Sequence, residues 1–204
     1  MNQIETFNTF GAIQISDVIP KELCHFLTHI MLRQYHEMKI QGIPQDKDDN
    51  TVKNALTVMS HDIIFETIGE RIWPFLENIL GEELIPTYSY ARLYQNGSIL
   101  GKHTDRPSCE ISISIQLGRS HHYSWPFYAE GKRFDLAEGD GVLYKGCEVE
   151  HWRNPCDGPE GYYSGQVFCH FVRVNGPYAS YSGDKRWKIE MPFERYRSFA
   201  METK

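Results

Sequence analysis

From residue 84 onward the chain is a succession of short segments rich in β-branched and aromatic residues, separated by Gly, Asn, Asp and Pro. The segments are "IPTYSYARLY", "CEISISIQLG", "HYSWPFYA", "KRFDLAEG", "GVLYKGCEVEHWR" and "YYSGQVFCHFVRV". Many short strands at such spacing are typical of an antiparallel sandwich or barrel. The sequence therefore predicts a β-rich fold for this part of the chain.

The first 83 residues have a different, mostly helical pattern. After a short strand and turn in "AIQISDVIP", a helix is expected to start near Pro20, since a fixed φ suits a first helical turn. A second helix is expected over "DIIFETIGERIWPFLENIL", with Pro74 kinking it or beginning a new turn. The apolar stripes predicted for the two helices are Leu23, Phe26, Leu27, Ile30 and Met31, and Ile64, Ile68, Ile72, Phe75 and Ile79. We expect a helical support for the β-rich part, in one domain.

Composition excludes several classes of protein. The 204 residues suffice for one domain with a real core, and a net charge of -6 without a basic run makes nucleic acid an unlikely partner. No apolar run approaches the roughly 18 residues of a membrane span, and the N-terminus does not resemble a secretory signal. The five cysteines are far apart and form no C-x-x-C pair. We therefore expect reduced thiols, no zinc finger, no membrane contact and a cytoplasmic location.

Two ionisable residues lie one residue apart at the start of the stretch "GKHTDRPSCEISISIQLG". On an extended segment His103 and Asp105 point to the same face, so both can reach one point in space. An imidazole and a carboxylate that meet there suit Fe(II), Mn(II) or Zn(II). The pattern is common, and a surface salt bridge is the alternative explanation.

A third candidate ligand follows a Gly-rich turn and a short apolar strand in "EGDGVLYKGCEVEHWRNP". If His151 joined the first pair, the three side chains would complete a 2-His-1-carboxylate triad, which leaves coordination positions open for other ligands. The remaining histidines fit this pattern less well. His121 and His122 are expected in a loop, His170 lies inside the strand "QVFCHFV", and the others fall on the helical part.

The order of these motifs resembles the Fe(II)/2-oxoglutarate-dependent dioxygenases, and within them the prolyl-hydroxylase-like branch. "SDVIPKELCHFL" resembles the opening of that branch's helical support, and "YARLYQNGSILGKHTD" resembles the approach to its first ligand. The resemblance covers roughly residues 12 to 177. It implies a double-stranded β-helix, or jelly roll, over residues 84–177, with a helical support before it (1–83) and a tail after it (178–204).

The resemblance also implies a reaction and its cofactors. Fe(II) would be bound by His103, Asp105 and His151, and 2-oxoglutarate and dioxygen would be co-substrates. The expected reaction is hydroxylation of a small molecule or peptidyl residue, with release of succinate and CO2. A free amino acid, a peptidyl proline or a small metabolite would all suit such a pocket.

One part of the family pattern is missing. The family anchors the far carboxylate of 2-oxoglutarate with an Arg or Lys on the strand after the second His, but the matching positions, near Ser164 to Gln166, hold no cation. Arg153 is the best substitute, because it is two residues past His151 and shares its face on an extended strand. Arg173 is a second candidate. The other residues expected to contact the co-substrate are Tyr94, Gln116 and Gln166.

The alternation in "CEISISIQLG" then separates two faces of a strand. Ile111, Ile113, Ile115 and Leu117 would pack in the core, and Ser112, Ser114 and Gln116 would face the pocket. Arg106 and Glu110 flank the ligand segment and could contact substrate.

Two other functions are consistent with the sequence. A cupin-like metalloprotein that does not use 2-oxoglutarate would explain the missing cation. A non-catalytic jelly-roll binding module would keep the triad without using it.

Overall fold

The computed structural model describes residues 2–43 and 48–185, so the greater part of the predicted tail lies outside the described residues. The helices are α1 (Gln3–Phe10), α2 (Lys21–Ile40) and α3 (Ile63–Leu80). The strands are β1 (Ala12–Ile15), β2 (Val52–Lys53), β3 (Thr57–Ser60), β4 (Leu84–Gln95), β5 (Ile99–His103), β6 (Ile111–Arg119), β7 (Phe127–Ala129), β8 (Lys132–Phe134), β9 (Gly141–Tyr144), β10 (His151–Arg153) and β11 (Tyr163–Arg173). Two 3-10 segments cover Pro107–Cys109 and Ala179–Lys185.

The strands form two antiparallel sheets, as their alternating pattern predicts. The major sheet has the order β1-β9-β6-β11-β4-β3, and the minor sheet has the order β2-β5-β10-β7-β8. The predicted β-rich class with helices is confirmed. The first 83 residues are more than a support, because β1 and β3 form both edges of the major sheet and β2 forms one edge of the minor sheet.

The molecule has three layers, which follow from two separate apolar clusters. One cluster joins the helices to the outer face of the major sheet and includes Leu27, Met31 and Leu76 with Ile113 and Leu143. The other joins residues of both sheets. The minor sheet therefore covers the inner face of the major sheet, and the helices cover its outer face.

Strand β6 shows why the two faces differ. Ile111, Ile113, Ile115 and Leu117 all belong to the cluster against the helices, so the predicted core face is confirmed. Ser112, Ser114 and Gln116 alternate with them and are buried on the side of the minor sheet.

The helices follow their sequence signals with two differences. Helix α2 begins after Pro20 as predicted, but Phe26 of its expected stripe is 62% exposed. Helix α3 begins after the cap residue Asp62 and runs as one helix through Pro74, but Phe75 of its expected stripe is 41% exposed. None of the described helices is long and apolar enough to span a bilayer. The five cysteines are free thiols, as expected.

Candidate metal centre and adjoining pocket

The three predicted ligands come together at the edge where β5 meets β10. His103 ends β5 and His151 begins β10, and the two histidines are paired residues in adjacent strands. Their ring centroids are 4.3 Å apart. Asp105 follows β5 by two residues, and its Oδ1 lies 3.6 Å from Nε2 of His103 and 3.5 Å from Nε2 of His151. The ligand atoms of all three residues lie within 4.8 Å of one another.

Hydrogen bonds to the backbone orient both imidazoles. Nδ1 of His103 lies 2.7 Å from the carbonyl oxygen of Gly101, and Nδ1 of His151 lies 2.9 Å from that of Val149. Because a carbonyl oxygen only accepts, each Nδ1 carries the proton and donates it. In the neutral imidazoles this leaves the Nε2 lone pairs free to bind a cation, an arrangement found at protein metal sites.

The charges of the site also favour a cation. Burial alone would raise the pKa of Asp105, but the adjacent imidazoles of His103 and His151 hold that pKa well below its usual range. Burial alone would lower the pKa of His103, yet Asp105 and the Gly101 carbonyl raise it. The carboxylate is therefore ionised and half-buried between two imidazoles. Two imidazole nitrogens and one carboxylate oxygen form a donor set that suits Fe(II).

The second carboxylate oxygen of Asp105, Oδ2, is contacted by Ser112 of strand β6. Ser112 Oγ lies 3.2 Å from Asp105 Oδ2, 3.1 Å from the carbonyl oxygen of Cys109 and 2.8 Å from Nδ1 of His170. Asp105, Cys109 and His170 also form a second close group of potential ligand atoms, which shares Asp105 with the first. Burial lowers the pKa of His170 to about 4, so its imidazole is neutral at pH 7.

From the sequence, His170 shares a strand face with Gln166 and is expected to have either local polar partners or a substrate contact, whereas the link from Ser112 to Asp105 was missed. The alternation along each strand was the available signal. Ser112 shares a face of β6 with Gln116, and His170 shares a face of β11 with Gln166.

Arg153 lies against Trp125 and Phe127 of the second cluster and is only 1% exposed. Its Nη1 donates to the carbonyl oxygen of Trp125, and its Nη2 donates to Oε1 of Gln166 over 3.2 Å. The rings of Trp125 and Phe127 lie 5.0 and 5.5 Å from the guanidinium carbon. Within residues 2–43 and 48–185 it has no salt bridge to a carboxylate, and its Nε is buried without a hydrogen-bond partner. Burial lowers its pKa to about 10, so it stays charged at neutral pH.

Three further predicted residues lie around this guanidinium. Gln166 Nε2 donates to Gln116 Oε1 over 2.6 Å, and Gln116 Nε2 donates to Ser164 Oγ over 2.9 Å. Tyr94 is buried with its ring edge against Trp125, at a centroid distance of 4.9 Å. Arg153, Gln166 and Gln116 therefore form one buried hydrogen-bonded chain.

The other predicted cation, Arg173, lies elsewhere. It is at the far end of β11, where it bonds Glu82 and Glu110. Glu110 is thereby committed to Arg173, and Arg106 is paired with Asp184. These ion pairs compensate the charges of Arg173 and Glu110, so among the described residues Arg173 does not share the unpaired state of Arg153.

No family model and no curated protein matches the sequence. Solved structures do match. A prolyl-4-hydroxylase from Pseudomonas putida is 14% identical with a TM-score of 0.57, and the match covers 83% of this chain and 96% of that one. HygX from Streptomyces hygroscopicus, solved with nickel and 2-oxoglutarate, is 10% identical with a TM-score of 0.58, and the match covers 85% and 87%.

The chain has the fold of the Fe(II)/2-oxoglutarate oxygenases. This oxygenase fold also includes SnoN, a non-haem α-ketoglutarate-dependent epimerase that is 10% identical with a TM-score of 0.62, over 84% of this chain and 81% of that one. Proteins of this fold thus differ in reaction, so the fold alone does not fix the chemistry.

Proposed function

We propose that this protein is an Fe(II)- and 2-oxoglutarate-dependent dioxygenase that hydroxylates a small molecule or a peptidyl residue and releases succinate and CO2. The observation that carries the proposal is a buried guanidinium with no carboxylate partner among the described residues, in the layer that also holds the three-ligand centre. A charge in that position is costly unless an anion binds it. The five-carbon dicarboxylate 2-oxoglutarate supplies such an anion.

The metal would be held by His103, Asp105 and His151. Their donor set fits Fe(II), and the protonated Nδ1 atoms leave the Nε2 lone pairs available in the neutral imidazoles. Ser112 would retain Oδ2 of Asp105, which leaves Oδ1 for the metal. Bound Fe(II) with 2-oxoglutarate and dioxygen supplies the oxidising chemistry, and the protein supplies binding and orientation.

Arg153 would bind the far carboxylate of 2-oxoglutarate. Gln166 and Gln116 would fix the direction of the guanidinium, since they continue its hydrogen-bonded chain to Ser164. Tyr94 and Trp125 would close the pocket, and the apolar rings around Arg153 would exclude water and strengthen the ion pair. The anchor would thus come from β10 in the minor sheet, next to the ligand His151.

The test is an anaerobic titration of the full-length protein with Fe(II) and 2-oxoglutarate, followed by visible absorption. We expect wild type to form a weak metal-to-ligand band and Asp105→Ala to form none. Arg153→Met should still bind Fe(II), but its dissociation constant for 2-oxoglutarate should rise roughly tenfold or more, since a charge-assisted hydrogen bond is lost.

Two exposed residues provide matched controls. His25→Ala removes a histidine that pairs with Glu138 on the surface, and Arg133→Met removes an arginine that pairs with Asp135. Both should behave as wild type. Absence of the band in wild type would contradict the proposal, and unchanged 2-oxoglutarate affinity in Arg153→Met would contradict the assigned anchor.

The titration and the ligand variants together separate the alternatives. A metalloprotein that does not use 2-oxoglutarate would bind the metal without any effect of 2-oxoglutarate, and a non-catalytic module would keep its partner binding after all three ligands are replaced. Hydroxylation itself is tested by the product mass, which should increase by one oxygen atom. Succinate without that gain would indicate a 2-oxoglutarate-dependent reaction other than hydroxylation; SnoN, which is similar in fold, is an epimerase.

A further inference from the structure

Four rings form a continuous wall on the inner face of the major sheet, and we call it the ring wall: Tyr88, Tyr90, Phe168 and His170. Phe168 pairs with Tyr90 and His170 pairs with Tyr88 across β11 and β4. The centroid distances are 4.7 Å for Tyr90–Phe168 and 4.6 Å for Tyr88–His170. Phe168 and His170 are each 4% exposed, whereas the two tyrosines are half-buried. The wall thus has a packed base and an accessible part.

The ring wall adjoins the candidate metal centre through one serine. Ser112 Oγ contacts Asp105 Oδ2 on one side and His170 Nδ1 on the other. A molecule lying on the wall would therefore lie beside the ligand Asp105. Arg153 is bonded to Gln166 instead, four residues earlier than His170 on β11.

The hydrogen bonds of Ser112 fix the tautomer of His170. The Asp105 carboxylate and the Cys109 carbonyl only accept, so the single hydroxyl proton of Ser112 goes to one of them. His170 Nδ1 must then donate to Ser112, and in a neutral imidazole Nε2 is left with a lone pair. That Nε2 is buried and has no hydrogen-bond partner among the described residues. The neighbours of His170, Cys169 and Phe171, belong to the cluster against the helices, so the ring of His170 lies on the inner face of the major sheet.

The charges at the rim of the wall are balanced. The guanidinium of Arg106 lies 4.8 Å from the ring of Tyr88 and pairs with Asp184. That of Arg92 lies 6.0 Å from the ring of Tyr90 and pairs with Asp49. Since each arginine has its own aspartate, neither guanidinium gives the wall a net positive charge that would select an anionic ring.

We propose that the ring wall binds the primary substrate, and that this substrate presents an uncharged flat ring with an N–H or O–H donor. The ring would stack on Tyr90 and Tyr88, and its donor would bond Nε2 of His170. A buried acceptor without a partner is costly, so a ligand donor that satisfies it gains specificity over an analogue that lacks the donor. The assignment as substrate rests on the proposed function, whereas the binding itself does not.

The test uses indole and 1-methylindole, which share a ring system but differ in the donor. Binding to the metal-free full chain is measured by ligand-observed NMR titration. We expect indole to bind about five- to tenfold more tightly, the gain of one hydrogen bond. His170→Phe keeps a ring and removes the acceptor, so it should abolish the preference. Tyr90→Leu keeps the acceptor and should weaken both probes alike.

A control excludes another aromatic surface. Tyr128 and Trp152 stack at 5.4 Å, with Lys102 over the indole of Trp152, and could also attract indole. Tyr128→Leu should leave both affinities unchanged. Equal affinities in wild type, a preference that survives in His170→Phe, or loss of binding in Tyr128→Leu would each overturn the proposal. Circular dichroism checks that each variant is folded.

Failure of this proposal and failure of the proposed function are distinguishable. Indole binding that persists at saturating 2-oxoglutarate supports a ring wall separate from the Arg153 pocket, and competition between the two contradicts it. If indole binds with the expected preference but Fe(II) and 2-oxoglutarate do not, the ring wall stands and the dioxygenase fails. If Fe(II) and 2-oxoglutarate bind but indole does not show the expected preference, the dioxygenase proposal stands and the ring-wall proposal is rejected.

Discussion

At the scale of single residues, a glycine decides how closely Asp105, a ligand in the proposed metal site, is held. The backbone N–H of Asp105 donates to the carbonyl oxygen of Gly146 over 2.8 Å, and the N–H of Gly146 donates to that of Glu110 over 3.0 Å. A Cβ on Gly146 would lie 2.6 Å from Asp105 Oδ2 and would clash with the backbone of Cys109. Position 146 therefore needs glycine because Asp105 and the Pro107–Cys109 turn approach it directly.

We predict that Gly146→Ala weakens metal binding. The added methyl group must displace Asp105 or the backbone of Cys109, and Asp105 is a ligand in the proposed site. We expect the dissociation constant for Fe(II) or Mn(II), measured by anaerobic calorimetry, to rise roughly tenfold or more, as is usual when the support of a ligand is lost.

Gly131→Ala is the comparison for this experiment. Its φ is +78°, so an alanine there strains the backbone. A Cβ at this position meets nothing within 4 Å, so the variant leaves the candidate site unchanged. It should lose about 1 kcal/mol of stability and keep its metal affinity. Wild-type affinity in Gly146→Ala would show that Asp105 can move without consequence.

At the scale of elements, α3 supports the outer face of the sheet whose inner face carries the site. Its residues Phe65, Ile72 and Leu76 are buried in the cluster against the major sheet, and Glu66 Oε2 accepts from the backbone N–H of Ser89 in β4. The helix begins where the carboxylate of Asp62 accepts from the N–H of Ile64 over 2.9 Å. This cap satisfies one of the free N–H groups at the helix start and offsets the positive end of the helix dipole.

We predict that Asp62→Ala destabilises the fold by about 1 kcal/mol, the usual cost of losing a side-chain cap. Asp62→Ser keeps a capping oxygen and should lose only a small part of this. The free energy of unfolding is measured by urea denaturation of the metal-free protein. Equal stability of the Ala and Ser variants would show that the cap contributes nothing.

At the scale of the whole molecule, burial between the two sheets sets the response to pH. The folded protein holds His170 neutral, with a pKa of about 4 against 6.5 for the exposed side chain. The unfolded chain takes up this proton near pH 6.5, but the folded protein does so only near pH 4. The stability that depends on neutral His170 is therefore present above pH 6.5 and is lost as the pH falls towards 4.

We predict that the metal-free wild type loses stability relative to His170→Phe as the pH is lowered from 7 to 4. The difference should approach roughly 3 kcal/mol, because each unit of pKa difference corresponds to about 1.4 kcal/mol. Urea denaturation at several pH values measures it. A difference between the two proteins that does not vary with pH would contradict a buried neutral imidazole.

The regular elements could be predicted from the sequence because their signals are local. Pro20 and the break at Glu83 marked where a helix begins and where the strands follow, and alternation separated the two faces of β6. The exposure of Phe26 and Phe75 was missed because periodicity locates a stripe but not its edges, which depend on what packs against the helix. Helix α1 and strands β2 and β3 are short, and nothing in the predicted pattern singled them out.

The sequence alone placed His103 and Asp105 on one face, because residues two apart on an extended segment share a face, and it indicated His151 as their partner. It also separated the core face of β6 from the pocket face. Only the tertiary structure decided what meets that pocket face. Pairing of β10 with β5 set the two histidines side by side, β11 brought His170 to Ser112, and closure of the two sheets left Arg153 buried without a carboxylate among the described residues. The physical reason is that strand pairing over long sequence separation, which no local pattern encodes, determines which polar groups share a dry interior.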